Sequence, residues 1–311
     1  MNKNRQNSEI FAFVPSYNHA PFIETCLKSI INQTVPPAKL LVIDDGSSDG
    51  SPRIIERILK DCLFDTELIV RENRGLCATL NEAFALSKGK YFAYIGADDY
   101  WQPFFFEERV KLLEKSESAV LGYGHAFIID EEGQIFDSTA NHADEWSYST
   151  DGDARDMLLR LVVPISSTVF YRRSALETVA WNENSPLEDY EMYLKLAQLG
   201  NFAFDPQELS AWRRHSYNTS HNIDMMLKEV IAAQNRNFGN MGVGEVQSKK
   251  IQEQIKFYYA RIFLQEGEKQ QAFQLARKNW HGSRSGAQLV KFVLRMFVPM
   301  FVVKFWRNRK K

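Results

Sequence analysis

Blocks of apolar and polar residues alternate along the N-terminal half of the chain. Ile10–Val14 is an unbroken apolar run of the length of a buried strand. From Phe22 to Asn32 the apolar positions Phe22, Ile23, Cys26, Leu27, Ile30 and Ile31 share one stripe at helical spacing. Leu40–Ile43 is again strand-like. Pro52 opens a helix that reaches about Lys60, as Pro at a first helical position does. Leu68–Val70 is a short strand, a helix from about Cys77 to Ser87 is stopped by Gly89, and Tyr91–Ile95 is the next apolar run. This β-α-β-α-β-α-β order with short connections predicts a parallel, doubly wound sheet with helices on both faces.

The pattern is less regular further on. Ala119–Ile129 predicts a longer strand and Asp130–Gly133 a turn. The polar stretch 135–153 has no period and predicts a surface loop. Met157–Val163 predicts a short helix and Val169–Tyr171 a strand. Pro186 starts a helix with Met192, Leu194, Leu196 and Leu199 on its apolar side and Gly200 at its end. Phe202–Phe204 predicts a short strand. From Asn222 to Lys278 the pattern is helical, with a Gly-rich break at 239–244. The expected organisation is an α/β domain over 1–221, a helical appendage over 222–280 and a basic amphipathic tail over 281–311.

Chemistry collects where the strands stop. Asn18, Asp44 with Asp45, and Asp98 with Asp99 each follow an apolar run, and in a parallel sheet such ends converge on one edge, where open α/β sheets bind ligands. No Gly-x-Gly-x-x-Gly follows the first strand and no Walker motif occurs, which argues against a dinucleotide-binding or P-loop domain. Paired carboxylates are hard oxygen ligands suited to Mn²⁺ or Mg²⁺. They also make ordinary turns, as Asp45 in its Gly/Ser loop could do while capping a helix. Glu188 and Asp189 open a helix, where acids complement the macrodipole, yet a carboxylate at the lip of a cleft can also take a proton from a hydroxyl. His215, beside Arg213 and Arg214, is either a solvated surface group or a phosphate contact.

Composition changes this picture in one place. A hydrophobic fraction of 44%, a charged fraction of 25% and a net charge of −1 are those of an ordinary globular protein and exclude a global attraction to nucleic acid. Three separated cysteines make neither a metal spacing nor a disulfide framework. The polar start, Met1–Glu9, is not a secretory leader, so a cytoplasmic site is expected and the sequons at Asn32 and Asn218 are set aside. The charge is uneven, however: residues 277–311 hold ten Lys or Arg and no Asp or Glu. Ala287–Trp306 is apolar but interrupted by Lys291, Arg295, Pro299 and Lys304, a pattern for lying in a membrane interface rather than spanning it. Packing on the protein or on a second copy in a homodimer is the other reading.

These residues resemble a known family. Val-Pro-Ser-Tyr-Asn at 14–18, Ile-Asp-Asp-Gly-Ser-Ser-Asp-Gly-Ser at 43–51 and Glu-Asn-Arg-Gly at 72–75 match in order the inverting nucleotide-sugar glycosyltransferases of family 2. So do Ala-Asp-Asp at 97–99, Glu-Asp at 188–189 and Arg-Arg-His-x-x-Asn-x-Ser at 213–220. The resemblance spans about residues 9–221. It implies the GT-A fold, a mainly parallel, Rossmann-like mixed sheet, and a divalent cation, Mn²⁺ or Mg²⁺. It implies a nucleotide-sugar donor, expected to be uridine-based, and a glycan or lipid-linked saccharide acceptor in surface polysaccharide synthesis. It also implies roles. Pro15, Tyr17, Asn18 and Asp45 line the nucleotide pocket, the Asn73–Arg74 segment closes over base and ribose, and Asp98 reaches ribose or metal. Asp99 and His215 complete the metal side, Glu188 and Arg214 face the diphosphate and acceptor, and Asp189 is the general base. Many relatives carry a further Asp two residues before Asp98, where this chain has Gly96. That difference mildly favours the alternative of a non-catalytic nucleotide-sugar-binding subunit.

Overall fold

The computed structural model describes residues 8–142, 145–216 and 218–298. The chain forms two compact units, Met1–Leu158 with Val162–Asn218, and Leu159–Leu161 with Thr219–Lys311.

The first unit opens with β1 (Ile10–Ser16), α1 (Ile23–Ile31), β2 (Lys39–Asp44), α2 (Ser51–Leu59), β3 (Asp65–Val70), α3 (Leu76–Leu86) and β4 (Tyr91–Tyr94). There follow β5 (Tyr100–Trp101), α4 (Phe105–Lys115), β6 (Ala119–Ile129), β7 (Ile135–Ser138), α5 (Arg155–Leu159), β8 (Phe170–Arg172), α6 (Arg173–Leu176), α7 (Asp189–Leu196) and β9 (Asn201–Arg213). The sheet runs β3-β2-β1-β4-β8-β6-β9-β5, with β7 beside β6. β1, β2, β3 and β4 are parallel, and β1 and β2 are buried along nearly their whole length, so they read as continuous apolar runs. Ile10, Ala12 and Val14 of β1 and Leu40 and Val42 of β2 pack against Ile23, Cys26, Leu27 and Ile30 of α1. Register matters here: Ser16 stands opposite Asp44, which brings the carboxyl ends of β1 and β2 out flush.

Beyond β4 the sheet is mixed, as the resemblance implied. β8 is antiparallel to both β4 and β6, β6 is parallel to β9, and β5 is antiparallel to β9. The supposed loop at 135–153 contains β7 and a short 3₁₀ turn, Thr139–Asn141. The short strand expected at Phe202–Phe204 is part of one thirteen-residue strand, β9, which runs on to Arg213. Asp205-Pro-Gln-Glu208 interrupts its apolar pattern, and there the register against β6 slips, as Pro inside a strand requires. The helix expected from Pro186 starts at Asp189.

One buried ion pair ties this half together. Arg109 of α4 is fully buried; it donates to Asp205 Oδ2 at 2.7 Å and to the Thr168 carbonyl at 3.2 Å. Gly124 of β6 permits this, because a Cβ there would lie 2.3 Å from the Asp205 carbonyl oxygen.

The second unit is helical: α8 (Ile223–Asn237), α9 (Glu245–Glu266), α10 (Lys269–Lys278) and α11 (Gly286–Met296). Asn222 caps α8 by accepting from the Met225 N–H at 3.1 Å, and Gly267, at φ +96°, closes α9. Phe257, Ala260, Phe263, Leu264, Ala272, Ala276 and Phe292 form its core.

Candidate active site

The flush ends of β1 and β2 are braced by short polar side chains. The Ser16 hydroxyl donates to Asp44 Oδ2 at 3.0 Å, and Asp44 also takes the N–H and hydroxyl of Ser47. Asn18 sits at φ +56°, a left-handed conformation that Asn tolerates. Its N–H donates to Ser47 Oγ at 2.8 Å and its side-chain oxygen accepts from the Ser48 N–H at 2.9 Å. The expected nucleotide contact Asn18 thus staples two loops. Tyr17, next to it, is 49% exposed, with its ring available as a stacking face, while Pro15 is half-buried opposite Ile43.

Asp45 is buried and almost saturated. It accepts from the Arg74 N–H at 3.0 Å, from the Gly75 N–H at 2.8 Å and from the Arg71 guanidinium. Arg71 also donates to Thr79 Oγ1 at 2.7 Å. Asp45 therefore holds the 71–75 segment over the end of β2. Within that segment Asn73 is exposed, and the Arg74 guanidinium pairs with Glu82 at 3.0 Å.

The turn after β4 carries the paired acids. Asp98 Oδ2 lies 2.9 Å from His215 Nε2, and the imidazole is stacked on Phe22 at 5.1 Å between centroids. Asp99 is buried and accepts from the Arg213 N–H at 2.8 Å. Burial pushes the Asp98 carboxyl up, but the His215 hydrogen bond and the nearby His19 outweigh it and hold Asp98 below the usual range. Burial, and then the Asp98 charge, push Asp99 well above it. A Cβ added at Gly96 would lie 2.7 Å from Asp98 Oδ1, so the Asp98 carboxylate occupies the space that a side chain at 96 would need.

Glu188 and Asp189 stand at the start of α7, both part-exposed at the surface and enclosed by protein on the inner side. Burial, reinforced by Asp189, pushes the Glu188 carboxyl up to about 8; Asp98 also contributes, so its charge reaches this pair. Burial raises Asp189 as well. The buried rings of Tyr94, Tyr171 and Tyr193 lie within reach of both carboxyls. Burial and mutual repulsion thus both oppose two negative charges on this pair.

Three residues outside the expected set contribute. His19 lies between Asp98 and His215 electrostatically; burial lowers its imidazole, Asp98 works against that, and His215 adds to it. Arg71 holds Asp45. Arg213, rather than Arg214, organises the acids: its Nε donates to the Asp98 carbonyl at 2.7 Å and its other nitrogen to the carbonyls of Asp130 and Glu131. The Arg214 guanidinium instead lies over Trp212, at 5.8 Å. Arg71 follows β3 directly, a position the strand-end rule could have flagged. His19 and Arg213 carried no signal of their own.

The acids at adjacent strand ends, the sheet order and the acid pair on α7 can be compared with known proteins. The model of the family described as Glycosyl transferase family 2 matches residues 11–180, more than half of the chain. The chain belongs to glycosyl transferase family 2. It is 26% identical over 233 residues to a chondroitin synthase of Escherichia coli, covering 74% of this chain and 33% of that protein. It is 29% identical over 220 residues to an uncharacterized glycosyltransferase of Haemophilus influenzae, covering 68% and 67%. The chain thus spans only about a third of the length of the chondroitin synthase it matches. Among solved structures, S. aureus TarS 1-349 in complex with UDP-GlcNAc superposes with a TM-score of 0.60 at 14% identity, covering 78% of this chain and 70% of that one. A Pyrobaculum calidifontis mannosyltransferase in complex with GDP-Man and Mn²⁺ superposes with a TM-score of 0.61 at 16% identity, covering 98% and 85%. Both likenesses show the GT-A fold.

The family implies a divalent cation, and the residues here supply part of its shell. Asp98 and His215 already face one another, and Asp99 is an adjacent buried acid whose ionisation is opposed by Asp98, a repulsion that a cation would relieve. Among the described residues no group of three or more His, Cys, Asp or Glu is arranged to hold a metal. The expected set of Asp98, Asp99 and His215 is brought to one corner, with one Asp99 oxygen engaged by the Arg213 N–H. Asp98 and His215, a carboxylate and an imidazole, are the residues that would hold such a cation.

Proposed function

We propose that the protein is an inverting glycosyltransferase. It transfers a sugar from a nucleoside diphosphate, uridine diphosphate in our reading, to a hydroxyl of a glycan or lipid-linked saccharide in surface polysaccharide synthesis. The observation that carries this reading is geometric: β2 and β4 run parallel on either side of β1, so Asp45, holding the 71–75 segment, and Asp98, facing His215, follow strand ends on one edge of the sheet. Relatives named as chondroitin and hyaluronan synthases, from Escherichia coli and Pasteurella multocida, support a glycan acceptor. The neighbour holding UDP-GlcNAc supports a uridine donor, and the one holding GDP-Man and Mn²⁺ supports a metal-assisted reaction.

In this reading the exposed Tyr17 ring stacks on the base, and the 71–75 segment, held by Asp45, covers base and ribose. Asp98 and His215 hold a divalent cation, which when bound neutralises charge on the diphosphate. Glu188 keeps its proton and donates a hydrogen bond, so it adds no repulsion to the diphosphate. Asp189 takes the proton of the acceptor hydroxyl. The acceptor oxygen forms its bond to the anomeric carbon while the bond to the phosphate oxygen breaks, its electron pair leaving with the nucleoside diphosphate. A single displacement inverts the anomeric configuration.

Donor choice is tested by thermal shift against a panel of nucleotide sugars, with and without Mn²⁺, and the configuration by proton NMR of the first-formed product. A uridine donor stabilising the protein more in Mn²⁺, with an inverted product, is expected. A product of retained configuration would overturn the single-displacement mechanism, and a thermal response to a nucleotide sugar without any transfer would favour the non-catalytic nucleotide-sugar-binding role.

A further inference from the structure

Helix α11 has two apolar faces, and only one of them is used. Phe292 is buried, with its ring 5.4 Å from that of Phe257, and Leu289 and Met296 are partly buried against the same core. These three positions, at i, i+3 and i+7, fix the packed face of the helix. Val290, Val293, Leu294 and Phe297 form a second stripe at i, i+3, i+4 and i+7, and they are 58%, 47%, 63% and 81% exposed. Four neighbouring large apolar side chains left in water on one helix face are a contact surface rather than scattered exposure. Lys291 and Arg295 lie one turn apart on the remaining face of α11. Lys269 donates to the carbonyls of Met296 at 2.8 Å and Val298 at 2.7 Å, which fastens the end of the helix to the second unit.

We infer that this stripe of α11 docks on an anionic lipid bilayer, with the surrounding Lys and Arg side chains at the headgroups. Charge decides between a bilayer and a second copy of the chain. Residues 277–311 carry ten Lys or Arg and no Asp or Glu. A two-fold interface would set that charge against itself, whereas anionic headgroups complement it. Residues 299–311 lie outside the described structure, but their sequence continues the same mixture, with Phe301, Phe305 and Trp306 among Lys304, Arg307, Arg309, Lys310 and Lys311. Apolar side chains beside long basic ones, whose stems reach past an apolar stripe to the headgroups, suit a helix lying in the interface plane. Among the described residues no helix is long and apolar enough to cross a membrane. The inference is independent of the proposed sugar transfer, which is assayed separately on a soluble acceptor.

The test is cosedimentation of the full chain with vesicles of phosphatidylcholine alone and of phosphatidylcholine with about a third phosphatidylglycerol, over a salt series. Binding to the anionic vesicles, weakening as salt rises, is expected. Leu294→Glu with Phe297→Glu should weaken it about tenfold or more, since each charge must enter the interface. Lys291→Gln with Arg295→Gln should weaken it less and flatten the salt dependence. Circular dichroism confirms that the helices persist, and Val290→Ser with Leu294→Ser is the milder variant if the glutamates disturb folding. Failure to bind anionic vesicles overturns the inference, as does equal binding to both vesicles or binding unaffected by the stripe variants. So does a change of oligomeric mass by light scattering with vesicle binding intact, which would assign the stripe to a second copy.

Discussion

Replacing Glu188 by Gln should stabilise the protein, and more so as pH rises. The carboxyl is held at about 8 against an ordinary 4.5, first by burial and then by Asp189. A carboxyl of this kind binds its proton more tightly in the folded chain than in the unfolded one. Its contribution to stability is complete below the ordinary value and is lost progressively as pH climbs towards 8. A difference of about 3.5 in pKa, at about 1.36 kcal/mol each, sets a ceiling of about 5 kcal/mol. Part of the effect is shared with Asp189 and the side chain is part-exposed, so about 2 kcal/mol of change between pH 5 and pH 8 is expected. Gln keeps the shape and a hydrogen-bond donor but carries no proton to lose. The assay is urea unfolding of wild type and Glu188→Gln, followed by tryptophan fluorescence at both pH values. The variant's advantage should be small at pH 5 and clear at pH 8. An advantage equal at both values, or one that shrinks as pH rises, would refute the placement of a protonated Glu188 beside Asp189.

Other outcomes follow from the same contacts. Gly96→Ala puts a Cβ where Asp98 Oδ1 lies, so nucleotide binding in Mn²⁺ by calorimetry should weaken about tenfold, equivalent to about 1.4 kcal/mol. The urea midpoint should move little, because the backbone at 96 is outside the left-handed region. Arg109→Met leaves Asp205 buried without its partner and should cost about 3–5 kcal/mol in urea unfolding. Asp45→Ala removes the acceptor for Arg71, Arg74 and Gly75; amide exchange of 71–75 should accelerate, and nucleotide affinity should fall about tenfold or more.

The parallel half of the fold was legible because strands buried on both faces leave continuous apolar runs, as Ile10–Val14 and Leu40–Ile43 do. The mixed half was not. β5 is only Tyr100–Trp101, too short to have a period, and Asp205–Glu208 broke β9 into pieces that looked unrelated. The strand-end rule pointed to Asp45 and Asp98 because parallel topology gathers those positions. It could not separate a side chain that braces the site from one left free to meet a ligand. Asn18 and Asp45 are both largely engaged with loop atoms, and only distances reveal it. Arg213 and Arg214 are adjacent and chemically equal in the sequence; Arg213, the last residue of β9, sends its Nε to the Asp98 carbonyl, and Arg214, just past the strand, lies over Trp212.

Asp189 as the base is tested most directly by Asp189→Asn, with sugar transfer and nucleoside diphosphate binding measured on the same preparation. Transfer should fall about 100- to 10,000-fold, the usual contribution of a positioned general base. Binding by calorimetry should stay within about twofold of wild type, because the nucleotide contacts proposed above lie on β1, β2 and the 71–75 segment. Transfer retained near the wild-type rate would contradict the central role given to Asp189.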